Sequence, residues 1–289
     1  MPTSVTRIGN NLPNGDFNPQ VWSKKLNNKY YAQLSLMDIC NTNWEGEIKN
    51  QGASVLIRNI PTVNVNDYVI GQDMSYQDIE DSKLELLINN AKYFNFRIDD
   101  IDATQQDIKL MNVLTQDAGK NMKIQVEKHV FGSVYADAGN SISTLTMDRT
   151  NVLDWIIDAG VIMEENNLPE SDRWLIIPPK AGGFIQKSDL KNTSLTGDDK
   201  SVLRSGMTNG RLGEIAGITL YVSNNLAKSG TTYQCIAGHK SAITFASQIV
   251  KVRHVILPGR FAEAVQGLDV YGFKTVLPVG LISMPAVIA

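Results

Sequence analysis

From Ala53 to Val65 the segment ASVLIRNIPTVNV mixes β-branched apolar residues with alternating polar ones, and KLELLINNAKYFNFRI, from Lys83 to Ile98, repeats that character. Such alternation predicts half-buried strands. Between them lies NDYVIGQDMSYQDIEDS, which carries Asp67, Asp73, Asp78, Glu80 and Asp81, with no Lys or Arg between Arg58 and Lys83. Two strands bracketing a polar loop predict a long hairpin with an acidic surface. An isolated two-stranded ribbon is marginally stable in water. This one must therefore lie on another surface, which is either its own core or a neighbouring subunit.

Helical periodicity appears on both sides of the hairpin. In VWSKKLNNKYYAQLSLMDIC, from Val21 to Cys40, the residues Trp22, Leu26, Tyr30, Leu34 and Met37 recur at helical spacing, which predicts a short amphipathic helix. Residues 1 to 25 are rich in Asn, Gly and Pro. They bury too little surface to order themselves and read as an arm that needs a partner. After the hairpin, Ile108, Met111, Leu114, Ala118, Met122, Val126, Val130 and Val134 form one apolar stripe, the mark of a long helix lying across a sheet. Some 35 residues of helix would span roughly 50 Å. Gly119 and Gly132 read as bends or close-approach points within it. The stripe lacks the sustained repeat of a coiled coil.

A second helix is predicted after Asp148 as N-cap, with Val152, Ile156, Ala159 and Met163 on one face. RWLIIPP reads as a buried strand, Lys180 to Leu190 as a short helix, and KNTSLTGDDKSVLRSGMTNGRLG as a long polar loop. GITLYVSNNL and TYQCIAG follow as strands, HKSAITFASQ as a helix, and KVRHVILP and LDVYGFKTVLPV as further strands. The class is α+β, with an order too irregular for a doubly wound nucleotide-binding fold.

Composition narrows the function classes. The chain has 289 residues, 43% of them hydrophobic, enough for a sizeable core. The net charge is −3 and the pI about 5.7, so the chain as a whole lacks the positive field of a nucleic-acid binder. Cys40 and Cys235 stand far apart in apolar contexts and read as reduced core thiols. The N-terminus has no apolar signal-peptide core. The apolar tail from Val276 to Ala289 is too short and too broken by Pro and Gly to span a bilayer.

Catalytic and ligand-binding signatures are missing from the sequence. His129, His239 and His254 stand apart, with no HExxH and no CxxC. There is no phosphate-binding glycine motif and no GxSxG elbow. GEIAG, from Gly213 to Gly217, opens a strand rather than a helix. Asp99 and Asp100 sit where a strand is expected to give way to the long helix, so they read as partners of its dipole rather than an acid–base pair. The sequence therefore predicts no enzyme, no cofactor and no metal site.

The order of the elements is more informative than any motif. WEGEIKNQGASVLIRNIPTVNVNDY, RWLIIPP with its following helix, IAGITLYVSNNL, GHKSAITFASQIVKVRH and GLDVYGFKTVLP occur in the order arm, helix, hairpin, spine helix and mixed domain. Over nearly the whole chain this resembles the major capsid protein family of tailed bacteriophages. The fold implied by that resemblance has an N-terminal arm and short helix over 1–45 and an extended loop over 46–98. A peripheral domain with the spine helix would take 99–145 and 249–289, and an axial domain 146–248.

The resemblance also implies a function: self-assembly through pentamers and hexamers into an icosahedral virion shell enclosing double-stranded DNA. The extended loop and the arm would each lie over a neighbour. Asp67, Asp73, Asp78, Glu80 and Asp81 become candidates for intersubunit ion pairs, with a solvated acidic rim as the alternative. Arg204 and Arg211, in or next to the polar axial loop, are further contact candidates. The partners implied are the chain itself, a portal, and a scaffolding protein. Because the chain begins almost directly with the arm, the scaffold is expected to be a separate protein. DNA would lie nearby without sequence-specific binding, no membrane would be involved, and synthesis would take place in the host cytoplasm. A nanocompartment shell of the same fold, or a cytosolic α+β enzyme or binding protein, would account for parts of the same pattern.

Overall fold

The computed structural model describes residues 31–32, 34–44, 54–58, 61, 63–67, 70–71, 76–78, 83–99, 110–188, 211–259 and 262–288. Both helices and sheets are present, as the α+β reading requires. The expected arm, the first turns of the predicted first helix with Trp22, Leu26 and Tyr30, and the polar loop 191–210 lie outside the described residues.

The predicted hairpin forms, in a shorter version. Strand β1 (Ser54–Arg58) pairs antiparallel with β2 (Lys83–Leu87), from Ser54 opposite Leu87 to Arg58 opposite Lys83. Val63–Asp67 is not a strand, and Val63 and Val65 are exposed. The second predicted strand is in fact two. After a break at Ile88 and Asn89 the chain re-enters as β3 (Asn90–Asp99) and joins a different sheet. Here the ribbon's base packs at home. Ile57, Leu86 and Ile88 are buried against Ala246, with Trp44, Val55, Leu84, Val270 and Val276 around them.

The long helix runs from Leu110 to Ala136, 27 residues, or about 40 Å. The earlier part of the predicted helix, residues 101–109 with Ile108, lies outside the described residues. Burial is concentrated toward its C-terminal half, at Val126, Val130, Phe131 and Val134. Gly119 and Gly132 are not close-approach points, since a Cβ at either would meet nothing within 4 Å. The segment before the hairpin departs further from expectation. Within the described residues it makes a single turn, Leu36–Ile39. Leu36, Ile39 and Cys40 point inward, while the predicted stripe residues Leu34 and Met37 are exposed. One short turn offers too little surface for periodicity to identify its inner face.

The remaining elements build the core. They are β4 (Asn140–Ser141), β5 (Leu145–Met147), a helix Val152–Glu165, β6 (Arg173–Ile177), a helix Pro179–Lys187, β7 (Arg211–Ile215), β8 (Ile218–Val222), β9 (Lys228–Ser229), β10 (Thr232–His239), β11 (Ile243–Ile256), β12 (Ala262–Thr275) and β13 (Leu281–Ile288). An eight-stranded sheet runs β4-β13-β10-β6-β8-β7, with β5 on β13 and β9 on β10. β6 is buried at every position, as its continuous apolar run predicted. Val152, Ile156, Ala159 and Met163 are all fully buried on the helix beside it. That helix is capped at Asn151 rather than Asp148. Asp148 instead accepts hydrogen bonds from Thr150 N and Oγ1 and Asn151 N in the preceding turn, and these hold its carboxyl below the usual range. The β7–β8 hairpin turns through Ala216 and Gly217, both at positive φ, the backbone a two-residue turn requires.

Two C-terminal expectations change. HKSAITFASQ is not a helix: after a single 3₁₀ turn at Lys240–Ala242 it begins β11. Ile243 and Phe245 face the main core while Ala246 faces the hairpin, so the segment serves two surfaces with period two. The tail, read only as apolar, contains β13. Pro285 falls between the β4 and β5 pairings of that strand, where its missing N–H interrupts no registered pair on that side. β13 also pairs with β10, which joins the C-terminal stretch to the sheet formed mainly from the middle of the chain.

A three-stranded sheet, β11-β12-β3, completes the fold. Gly272 of β12 lies directly under the ribbon, and a Cβ there would collide with the Leu87 carbonyl. Gly272→Ala is expected to destabilise the subunit by ~1–3 kcal/mol through overpacking. The thermal midpoint should fall by about 2–4 °C per kcal/mol. An unchanged midpoint would mean that the ribbon is not seated on the sheet.

Candidate assembly surfaces

The hairpin loop leaves the ribbon at its Arg58–Lys83 end, remote from the junction with β3. Its described apolar residues lie in solvent: Val65 is 97% exposed, Ile70 91% and Tyr76 96%. The backbone N–H of Asn64 donates to Gln77 Oε1 at 2.9 Å, drawing the two arms of the loop together. Asp67 and Asp78 are exposed there. Asp73, Glu80, Asp81 and Arg204 lie outside the described residues. Arg211 begins β7, an edge strand of the eight-stranded sheet, opposite Tyr221. It therefore belongs to a different sheet from the ribbon.

The far half of the long sheet projects past the region covered by the ribbon. Register places Lys251, Leu268 and Tyr93 side by side, then Arg253, Gln266 and Asn95, then Val255, Ala264 and Arg97. Cross-strand partners share a face, and these three rows carry three cations, with Asp99, opposite Ala262, in the next row of the same face. Arg253 Nε donates to Gln266 Oε1 at 2.8 Å. Tyr93 is 80% exposed and Leu268 38%. Together with Lys251 and Asn95 they line a groove of about 380 Å³.

On the opposite face the long helix packs against β12. His129 Nδ1 lies 2.8 Å from Tyr271 Oη, and Phe273 meets the His129 ring edge-on. Burial, and then the Lys92 charge, push the His129 pKa down. Two residues earlier on the same helix, Glu127 is fully buried. Its Oε1 accepts from Ser35 N and Ser35 Oγ, both at 2.8 Å, and its Oε2 accepts from Asn225 Nδ2 at 2.6 Å. One carboxylate thus ties the segment before the hairpin, the long helix and the turn after β8 together. The sequence reading missed it, although an acid beside Val126 in an apolar stripe was a usable signal. It missed Arg97, Lys251 and Arg253 as well, because their common face exists only once the strands are in register.

Nothing among the described residues forms a cluster of His, Cys, Asp or Glu able to hold a metal ion. Cys40 and Cys235 are free and fully buried. Burial raises both thiols well above their ordinary range, which makes thiolate chemistry unfavourable. No helix among the described residues is long and apolar enough to cross a membrane.

The comparisons agree with this architecture. The family model described as phage capsid protein matches residues 84–277, about two-thirds of the chain. No curated protein sequence matches. Among solved structures, one from Mycobacterium phage Che8 is 26% identical with a TM-score of 0.81, covering 93% of this chain and 97% of that one. The capsid structure of the cyanophage P-SCSP1u is 14% identical with a TM-score of 0.73, covering 95% and 94%. The capsid of Myoviridae phage XM1 is 15% identical with a TM-score of 0.69, covering 93% and 97%. With its ribbon, long helix and two larger sheets in this arrangement, the chain belongs to the phage capsid protein family and is a major capsid protein, a structural component of the virion that assembles with its own copies into an icosahedral shell.

Proposed function

We propose that the subunits assemble through pentamers and hexamers around double-stranded DNA, and that the extended loop bridges each subunit to a neighbour. The loop carries this reading. Val65, Ile70 and Tyr76 are almost wholly exposed, while the base of the same ribbon is buried in its own subunit. Large apolar side chains held in solvent at the end of an anchored ribbon suit a surface on another molecule. The loop acids Asp67, Asp73, Asp78, Glu80 and Asp81 form ion pairs in that contact, and Arg204 and Arg211 belong to contacts around the capsomer centre. Each exposed pair contributes only ~0–1 kcal/mol, but a closed shell repeats every contact many times.

On this reading the long helix and the three-stranded sheet form the peripheral domain. The eight-stranded sheet with its two shorter helices forms the axial domain, and by strand pairing β13 goes with it. The protein is made in the host cytoplasm, has no catalytic role, and assembles with a separate scaffolding protein and a portal. It holds DNA by enclosure, since a net charge of −3 does not supply the phosphate neutralisation that tight binding needs.

Electron microscopy and size-exclusion chromatography of the protein, alone and co-expressed with its neighbouring gene products, test this. Uniform closed shells are expected only on co-expression. Uniform shells formed equally well by the chain alone would remove the separate scaffold. Shells that package proteins instead of DNA during infection would refute the genome container.

A further inference from the structure

We infer that a cavity inside the subunit, where the segment before the hairpin crosses the long helix and the three-stranded sheet, binds a small linear diamine through Asp269. The inference does not depend on how subunits contact one another. The cavity is lined by residues of the Leu34–Asp38 segment, by the helix around Val126, and by Phe245 and Asp269 of the sheet. Its volume is about 390 Å³, within the range of small-molecule sites.

Asp269 is the group that asks for a ligand. It is 9% exposed, and its one hydrogen bond among the described residues comes from Ser247 Oγ to Oδ1 at 3.3 Å, long for a hydroxyl donor. Neither Lys123 nor Lys92, opposite it on β3, makes an ion pair with it. Burial raises its pKa, and Ser247 and Lys123 offset only part of that effect. A carboxylate taken from water with one weak donor lacks a counter-charge.

The surroundings select a cation on an apolar stem. Glu127 also borders the cavity, but Ser35 and Asn225 already satisfy it. Leu36, Val126 and Phe245 offer the stem an apolar lining, and exposed Asp38 offers a carboxylate for the second ammonium. An anion would meet these acids with Lys123 as the single lining cation. A divalent metal ion requires several oxygen ligands, and no cluster able to hold one occurs among the described residues. An uncharged ligand would leave Asp269 without a partner.

Calorimetric titration of the full-length protein with diaminobutane tests the site, in ~0.15 M salt so that surface charges are screened beyond about 8 Å. Saturable binding is expected, with a thermal midpoint that rises with ligand concentration. D269N should stay folded by circular dichroism and bind at least about tenfold more weakly, equivalent to ~1.4 kcal/mol. K123Q should bind about threefold more tightly, the scale of one exposed charge. No saturable binding, or equal binding by folded D269N, overturns the proposal. Equal binding of uncharged butanediol would reduce the site to an apolar hollow and overturn it too. Should D269N not fold, K123Q decides, since unchanged binding there overturns the proposal. The same titration on assembled shells should give the same affinity. Loss of binding on assembly would assign the cavity to a side chain of a neighbouring subunit and overturn the small-ligand reading.

Discussion

Deleting Asp73–Asp81 from the hairpin loop is expected to leave a folded subunit that closes no shell. The two parts of the ribbon have different tasks. Ile57, Leu86 and Ile88 are buried against Ala246 in the subunit's own core, and none of them is touched by the deletion. The described residues in and beside the excised stretch bury almost nothing at home: Tyr76, within it, is 96% exposed, and Ile70, before it, 91%. Removing such a segment forfeits little burial at ~25 cal/mol per Å², and shortening a surface loop changes its closure entropy only slightly. The thermal midpoint should therefore stay within about 2 °C of wild type. Assembly, read by electron microscopy and sedimentation, should be lost if, as proposed, the loop bridges to another chain. An unfolded subunit would show instead that the tip packs at home.

Replacing Glu127 should have the opposite outcome, with the damage inside the subunit. In E127L three donors lose a charged acceptor: Ser35 N, Ser35 Oγ and Asn225 Nδ2. Hydrogen bonds to charged groups contribute ~1.5–3 kcal/mol each. Part of that is regained because the carboxylate no longer has to be desolvated, so the net loss should be about 3–5 kcal/mol. At about 2–4 °C per kcal/mol for a chain of this size, the midpoint should drop by roughly 10 °C. The amide of Ser35 should also lose protection from hydrogen exchange. E127Q keeps one carbonyl acceptor but turns an amide donor toward Ser35 or Asn225, and about half the loss is expected. A change below about 1 kcal/mol with Ser35 still protected would mean that the tie is incidental. The two variants separate roles cleanly: one should abolish assembly and spare the fold, and the other should loosen the fold first.

Elements with long, regular patterns were legible in the chain. The apolar stripe announced the long helix, the continuous run RWLIIPP announced β6, and Val152, Ile156, Ala159 and Met163 face inward as their spacing required. Burial of an amphipathic face is a local property, since the spacing that creates the face is written along a single segment. The acidic, cation-free character of the hairpin loop was also plain, because charge is read directly from composition.

Other features were decided by pairing between distant segments. HKSAITFASQ has no strong local preference, and its Ile243–Ser247 become strand because β12 lies beside them over five paired positions. KLELLINNAKYFNFRI reads as one strand but divides at Ile88 and Asn89, because its halves find different partners, β1 and β12. Leu34 and Met37 face solvent while Leu36 and Ile39 face the core, a choice made by the surface beneath a single turn. Sequence by itself determined the long helix, the helix from Val152 and the buried strand β6, the family resemblance and the charge of the loop. Only the tertiary structure placed Glu127 at the meeting of three segments and gathered Arg97, Lys251 and Arg253 on one face. Glu127 meets partners 92 and 98 positions away, and Arg97 reaches the other two cations only through β12, which pairs with both β3 and β11; no local pattern records which of them will meet.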